Sequence, residues 1–163
     1  MTFDDASKSI LNPVDAPDLH FKWTINPYRG CEHGCSYCYA RPTHAYLGLS
    51  PGLDFETKLF GKQNAAELLR KELARPGYRC ELIALGANTD PYQPIEQRYR
   101  LTRQLLEVML AHRHPVGIIT KSAMILRDLD LLAESVAIQS VTLALDGLRG
   151  AKPTWRELAR KLR

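Results

Sequence analysis

The sequence predicts an α/β protein: a parallel sheet of about four βα units over residues 21–163, preceded by an irregular arm over residues 1–20. Three observations carry this. Short apolar runs alternate with amphipathic stretches of helical period. Clusters of Pro, Gly, Asn and Asp separate the two kinds of segment. The resulting order, strand then helix repeated, demands a parallel sheet with right-handed crossovers.

The elements follow in chain order. Residues 1–20 contain Pro13 and Pro17 and little periodicity. Phe21 to Ile25 alternates apolar and polar residues and reads as the first strand. Asn26-Pro27-Tyr28-Arg29-Gly30 ends it and leads into Cys31-Glu32-His33-Gly34-Cys35-Ser36-Tyr37-Cys38. From Tyr39 to Gly61 the chain reads as loop, punctuated by Pro42, Gly48, Pro51 and Gly52. Asn64-Ala65-Ala66-Glu67 resembles a capping box and opens a helix over about 65–75, with Ala65, Leu68, Leu69 and Leu73 as its apolar stripe. Leu82-Ile83-Ala84-Leu85 is a buried strand, followed by the turn-rich Asn88 to Pro94. One helix is expected from Glu96 to His112. A strand follows over Val116 to Thr120, then a helix over about 124–134 and a strand over Val136 to Leu145. Thr154-Trp155-Arg156-Glu157 reads as a capping box opening a last helix.

Composition narrows the function classes. Of the 163 residues, 45% are hydrophobic and 25% charged, ordinary for a globular protein that buries a core. No apolar run approaches the length of a membrane span, and the acidic start lacks a basic leader region, so a cytoplasmic protein without membrane association is expected. The net charge of +4 permits contact with nucleic acid without arguing for it.

The cysteines say more. Three of the four fall in a C-x3-C-x2-C run, and clustered thiolates select zinc, Cu(I) or an iron–sulfur cluster. Zinc would need a fourth ligand, with His33 or His44 as candidates. A cubane cluster held by three cysteines keeps one iron open for a small chelating ligand with N and O donors. Strand order places the cysteine loop, Gly86 to Pro94, Thr120-Lys121-Ser122 and Asp146-Gly147 on one face, at the strand C-termini. Cys80 falls at the opposite end and is not expected to join the cluster. Asp90 and Tyr92 are candidate pocket residues.

C-x3-C-x2-C with Tyr37 before the third cysteine resembles the signature of the radical S-adenosylmethionine (SAM) superfamily. The wider stretches Asn26 to Pro42, Thr89 to Pro94 and Thr120 to Ser122 resemble its branch related to spore photoproduct lyase, often labelled DNA-repair-photolyase-like. The likeness covers roughly residues 8–135. It implies a partial (β/α) barrel of the radical SAM type, shorter at its C-terminal end than the six-stranded superfamily core. It implies that Cys31, Cys35 and Cys38 hold a [4Fe–4S] cluster and that SAM chelates the open iron. It further implies reductive cleavage of SAM to a 5′-deoxyadenosyl radical, which abstracts hydrogen from a substrate. Tyr37 would lie near the adenine. Lys121 matches a lysine on the SAM carboxylate, and Ser140 a serine near the same group. An electron donor of the flavodoxin or ferredoxin kind would be the partner, with DNA a candidate substrate.

One position departs from the pattern: Ala87 stands where the lyase carries its hydrogen-donating cysteine, which argues against dimer repair by that route. A partial barrel would also leave a strand edge open to self-association. The competing expectations are a non-catalytic iron–sulfur module and a nucleic-acid-binding domain.

Overall fold

The computed structural model describes residues 1–134 and the backbone of 138–143. In chain order its strands and helices are β1 (Thr2–Asp4), β2 (Asn12–Pro13), β3 (Trp23–Ile25), β4 (Tyr28–Arg29), α1 (Leu53–Thr57), β5 (Leu59–Gly61), α2 (Ala65–Leu73), β6 (Ile83–Leu85), α3 (Glu96–Tyr99), α4 (Leu101–Ala111), β7 (Val116–Thr120), α5 (Leu129–Glu134) and β8 (Ile138–Leu143). Two 3₁₀ helices, Arg41–Leu47 and Ala123–Asp128, join them.

The main sheet runs β2-β3-β6-β7-β8, parallel from β3 to β8, with β2 antiparallel at one side. Register places Ile25 beside Leu85 and Leu85 beside Ile118. Trp23, Ile25, Ile83, Leu85, Val116 and Ile118 belong to one cluster with Leu69, Leu105, Met109, Ile125 and Leu132 from the crossover elements. These strands thus bury one face under α2, α4 and α5. Alternation puts Thr24, Ala84, Gly117 and Ile119 on the opposite face. Apart from Ile119 these are small or polar, which leaves room above the sheet.

The expected βα order holds for β3, α2, β6, α4, β7, α5 and β8. The expected end helix from Thr154, and Asp146-Gly147, lie outside the described residues.

Five local expectations are corrected. The arm over residues 1–20 is not wholly irregular: β1 pairs in parallel with β5, which also pairs with β4. The arm is tied down further by Glu72, whose carboxylate accepts the amides of Ile10 and Leu11, both at 2.9 Å. Second, Tyr39 to Gly61 is not a loop; it holds a 3₁₀ helix, α1 and β5. Pro42 sits in the first turn of the 3₁₀ helix, where a missing N–H costs nothing, and Gly48 closes that helix at φ +69°.

Third, Asn64 does not cap α2 through its side chain; its Nδ2 donates to the Ser7 carbonyl instead. Fourth, the helix expected over Glu96 to His112 breaks at Arg100, which has φ +52°. The buried Glu96 explains the break. Its carboxylate accepts the amides of Thr102 (3.0 Å) and Arg103 (3.3 Å), capping the first turn of α4 from one turn upstream. Tyr28 Oη and Arg127 Nη2 complete that carboxylate's partners at 2.5 and 2.8 Å. The helix expected over 124–134 is likewise divided, a 3₁₀ segment followed by α5.

Candidate functional site

The cysteine loop begins where β4 ends. Gly30 takes φ +78°, and a Cβ there would lie 2.8 Å from the Phe55 carbonyl oxygen, so the turn admits no side chain. Cys31 N–H donates to that same carbonyl at 2.9 Å. The loop is thereby pressed against α1, and Cys31 is left 6% exposed beside Ala40 and Phe55.

Side chains from other segments hold the loop's shape. Gln93, fully buried, donates from Nε2 to the Gly30 carbonyl (3.0 Å) and accepts the Glu32 amide on Oε1 (3.0 Å). Its amide group therefore brackets Cys31 on both sides. Glu32 returns the contact by accepting the Ile95 amide at 2.7 Å. Arg41 donates from Nε to the Cys35 carbonyl at 3.0 Å, while its guanidinium pairs with Glu56 and stacks over Phe55. Neither Gln93 nor Arg41 stood out as functional by residue type. Both belong to stretches that the sequence marks, but their action on the cysteine loop is visible only in three dimensions.

Asp90 joins three segments at the strand ends. Oδ1 accepts from Tyr92 N–H (2.8 Å) and Thr120 Oγ1 (2.6 Å), and Oδ2 accepts from Lys121 N–H (2.9 Å). His33 Nε2 stands 3.3 Å from Oδ2. Burial raises the Asp90 pKa, but the bonds from His33, Lys121, Thr120 and Tyr92 outweigh it and hold the carboxyl below its ordinary value. Burial pushes the Cys31 thiol up to about 11, so a bound cation is needed to keep it as thiolate at neutral pH.

The result is one cavity of about 200 Å³, lined by all three clustered cysteines together with His33, Tyr37, Asp90 and Lys121. Lys121 Nζ contacts Cys35 Sγ and lies 5.8 Å from the Tyr37 ring centroid. Gly86, φ +91°, forms part of the wall; a Cβ there would fall 2.4 Å from Pro91 Cδ and 2.6 Å from the Ile119 carbonyl oxygen. Among the described residues, no three His, Cys, Asp or Glu side chains converge on the position of a single metal ion. A cubane asks for something else, three thiolates on three different irons around a shared space.

Other expected residues fall elsewhere. Tyr92 is fully buried in the main core and does not line the cavity. His33 does line the cavity, with its side chain 18% exposed and facing Asp90. His44 is no candidate ligand here, being fully buried with Nε2 donating to the Lys58 carbonyl at 2.9 Å. Cys80 is exposed, ahead of β6 and away from the cavity. Ser140 sits on β8 at the register of Gly117, and its side chain is outside the described residues. No helix among the described residues is long and apolar enough to cross a membrane.

Comparison with known proteins agrees with this picture. The family model described as the Radical SAM superfamily matches residues 25–161. Uncharacterized proteins of Mycobacterium tuberculosis and Mycobacterium bovis are 48% identical over 139 residues, covering 85% of this chain and 41% of theirs. An uncharacterized protein of Methanocaldococcus jannaschii is 30% identical over 144 residues, 88% of this chain and 51% of its own length. The chain thus spans about half or less of the curated relatives it matches. No solved structure matches it at a significant level.

Proposed function

This chain belongs to the radical SAM superfamily, and from that premise we propose that it binds a [4Fe–4S] cluster through Cys31, Cys35 and Cys38 and SAM beside it. The single observation that carries the reading is the shared cavity, which gathers the three thiols, Tyr37 and Lys121 at the C-terminal ends of β3, β6 and β7. The donor set fits the cluster: three soft sulfur ligands, uncommitted to disulfides, on a loop that Gly30, Gln93 and Arg41 hold in shape. When bound, the cluster and SAM supply reductive cleavage to a 5′-deoxyadenosyl radical, the hydrogen-abstracting chemistry of this superfamily.

The chain's own residues bind, orient and shield. Lys121 offers a point charge for the SAM carboxylate from the end of β7, and Asp90 fixes that end through the Lys121 amide. Tyr37, 68% exposed, offers a ring face at the cavity mouth for the adenine. Ser140 adds a hydroxyl-bearing residue one strand over. Asn26 Oδ1 accepts the amides of Asn88 (2.8 Å) and Thr89 (3.4 Å) and so aims the loop after β6 across the opening.

We read the chain further as a relative of spore photoproduct lyase with a changed substrate. The support is the meeting of Asp90, Thr120 and Lys121 at one corner, together with Ala87 where the lyase has its cysteine. DNA is the candidate substrate class on this reading, and a flavodoxin- or ferredoxin-like protein the electron donor.

The test is anaerobic reconstitution of the chain and of single Cys→Ala variants at 31, 35 and 38, read by visible absorbance, iron and sulfide content, and the electron paramagnetic resonance spectrum with and without SAM. Cluster absorbance should vanish in each variant, and SAM should perturb the reduced wild-type spectrum. A cluster that survives loss of Cys35, or a spectrum indifferent to SAM, removes the proposal.

A further inference from the structure

We propose that a second cavity, beside the cysteine site, binds an oxyanion, the phosphate or carboxylate of the substrate, with Lys62 as its cation. The cavity measures about 390 Å³ and lies among β2, β3, β4, the 3₁₀ helix Arg41–Leu47 and the chain after β5. It shares Asn88 and Thr89 with the wall of the cysteine cavity. A molecule anchored here would therefore extend toward the reacting centre.

The charge arrangement specifies the ligand. Among the described residues no Asp or Glu lines the cavity, whereas Lys62, Arg29 and His44 do. Arg29 is already answered by Asp5 at 2.6 Å, and Asp5 is further engaged by Ser7 at 3.0 Å. Lys62 differs. The residue is 6% exposed, and its Nζ, which is not among the fully enclosed unpartnered atoms, has neither an ion pair nor a hydrogen bond among the described residues. A lysine so buried is rare unless paired. Burial accordingly lowers its pKa, with Asp5 opposing only in part. An anion in the cavity would supply the missing counter-charge in a site where water screens little.

Neighbouring groups suit the same ligand. Asn26 has its Oδ1 committed to two backbone amides, which fixes the orientation of the side-chain amide. Its Nδ2 makes no hydrogen bond among the described residues and is left to donate. His44 contributes wall rather than a ligand contact: it is fully buried, with Nε2 donating to the Lys58 carbonyl and Nδ1 enclosed by the fold. At about 390 Å³ the space is of the size that small-molecule sites occupy.

The role of this pocket in substrate binding rests on the function proposed above, but its affinity for anions does not. The test is calorimetric titration of the chain with inorganic phosphate and, separately, with acetate, for wild type, Lys62→Met and Lys62→Arg. Removing the charge should weaken binding about tenfold or more, and Lys62→Arg should retain most of it. Weakening for phosphate alone assigns a phosphate-bearing substrate; weakening for acetate alone assigns a carboxylate. Wild type that binds neither anion, or Lys62→Met that binds both unchanged, overturns the proposal. Lys62→Met should fold, because it exchanges a largely buried lysine with no partner among the described residues for an apolar chain of similar length. Should it fail to fold, Lys62→Gln makes the same comparison. Cluster loading is measured in parallel and should be unaffected by Lys62→Met. A chain that loads no cluster but binds phosphate through Lys62 refutes the cluster reading and leaves this one standing.

Discussion

Replacing Gln93 by Met tests whether the cysteine loop is held in shape by a side chain from the loop after β6. The two residues are of similar length, so the change removes the amide's donor and acceptor with little loss of volume. Two hydrogen bonds of 3.0 Å are lost, one on each side of Cys31. At the Gly30 end the bond is buried, and an orphaned carbonyl there costs about 1–3 kcal/mol. At the Glu32 end the amide is only partly buried and regains water, so the loss is about 0.5–1.5 kcal/mol. Together these predict about 1.5–4.5 kcal/mol, concentrated on the loop that presents Cys31. Two assays read it: urea denaturation of the metal-free chain, and the rate at which a chelator strips iron from the reconstituted protein. Stability should fall by that amount and iron should leave faster. A midpoint within about 0.5 kcal/mol of wild type, with unchanged iron release, would show that the loop holds its form without Gln93.

Three further outcomes are expected. Lys121→Met should leave cluster absorbance intact and weaken SAM binding about 10–100-fold, the loss of a charge-assisted contact of about 1.5–3 kcal/mol; equal SAM affinity in equilibrium dialysis would remove Lys121 from the site. Asp90 has a folded pKa held below its ordinary value of 3.8, so the stability it contributes is full above that value and is lost as pH falls through the lower folded pKa. Asp90→Asn should therefore flatten the acid limb of a stability profile taken from about pH 5 to about pH 2, and a variant with the wild-type slope would contradict this. Arg100→Gly should raise thermal stability by about 0.5–1 kcal/mol, since Arg100 occupies left-handed backbone without a glycine's freedom; a lower melting temperature would mean that the Arg100 side chain contributes more than its backbone strain costs.

Much of this arrangement could be read from the residues, and the reasons differ by element. The buried strands announced themselves because Leu82 to Leu85 and Val116 to Thr120 are apolar runs bounded by polar turns. The three cysteines were marked by their spacing and Lys121 by its strand-end position and the family resemblance, and all four line one cavity. What escaped was set by contacts distant in sequence. The strands β1, β4 and β5 have two or three residues each, too few for any period to show. The break at Arg100 lies inside an unbroken helical pattern and follows from the buried Glu96 carboxylate accepting the Thr102 and Arg103 amides. Gln93 and Lys62 are ordinary polar residues in the sequence; burial gives them their meaning. Tyr92 was misplaced because its neighbour Asp90 faces the cavity, while its own ring turns into the core.

The central claim is that Cys31, Cys35 and Cys38 hold a cluster on which SAM is bound for reductive cleavage. The most direct measurement is 5′-deoxyadenosine formed from SAM after anaerobic reconstitution and chemical reduction, quantified against bound iron. The account predicts product in the wild type and none in any of the three Cys→Ala variants. A fully loaded, reduced cluster that binds SAM and yields no 5′-deoxyadenosine would contradict it.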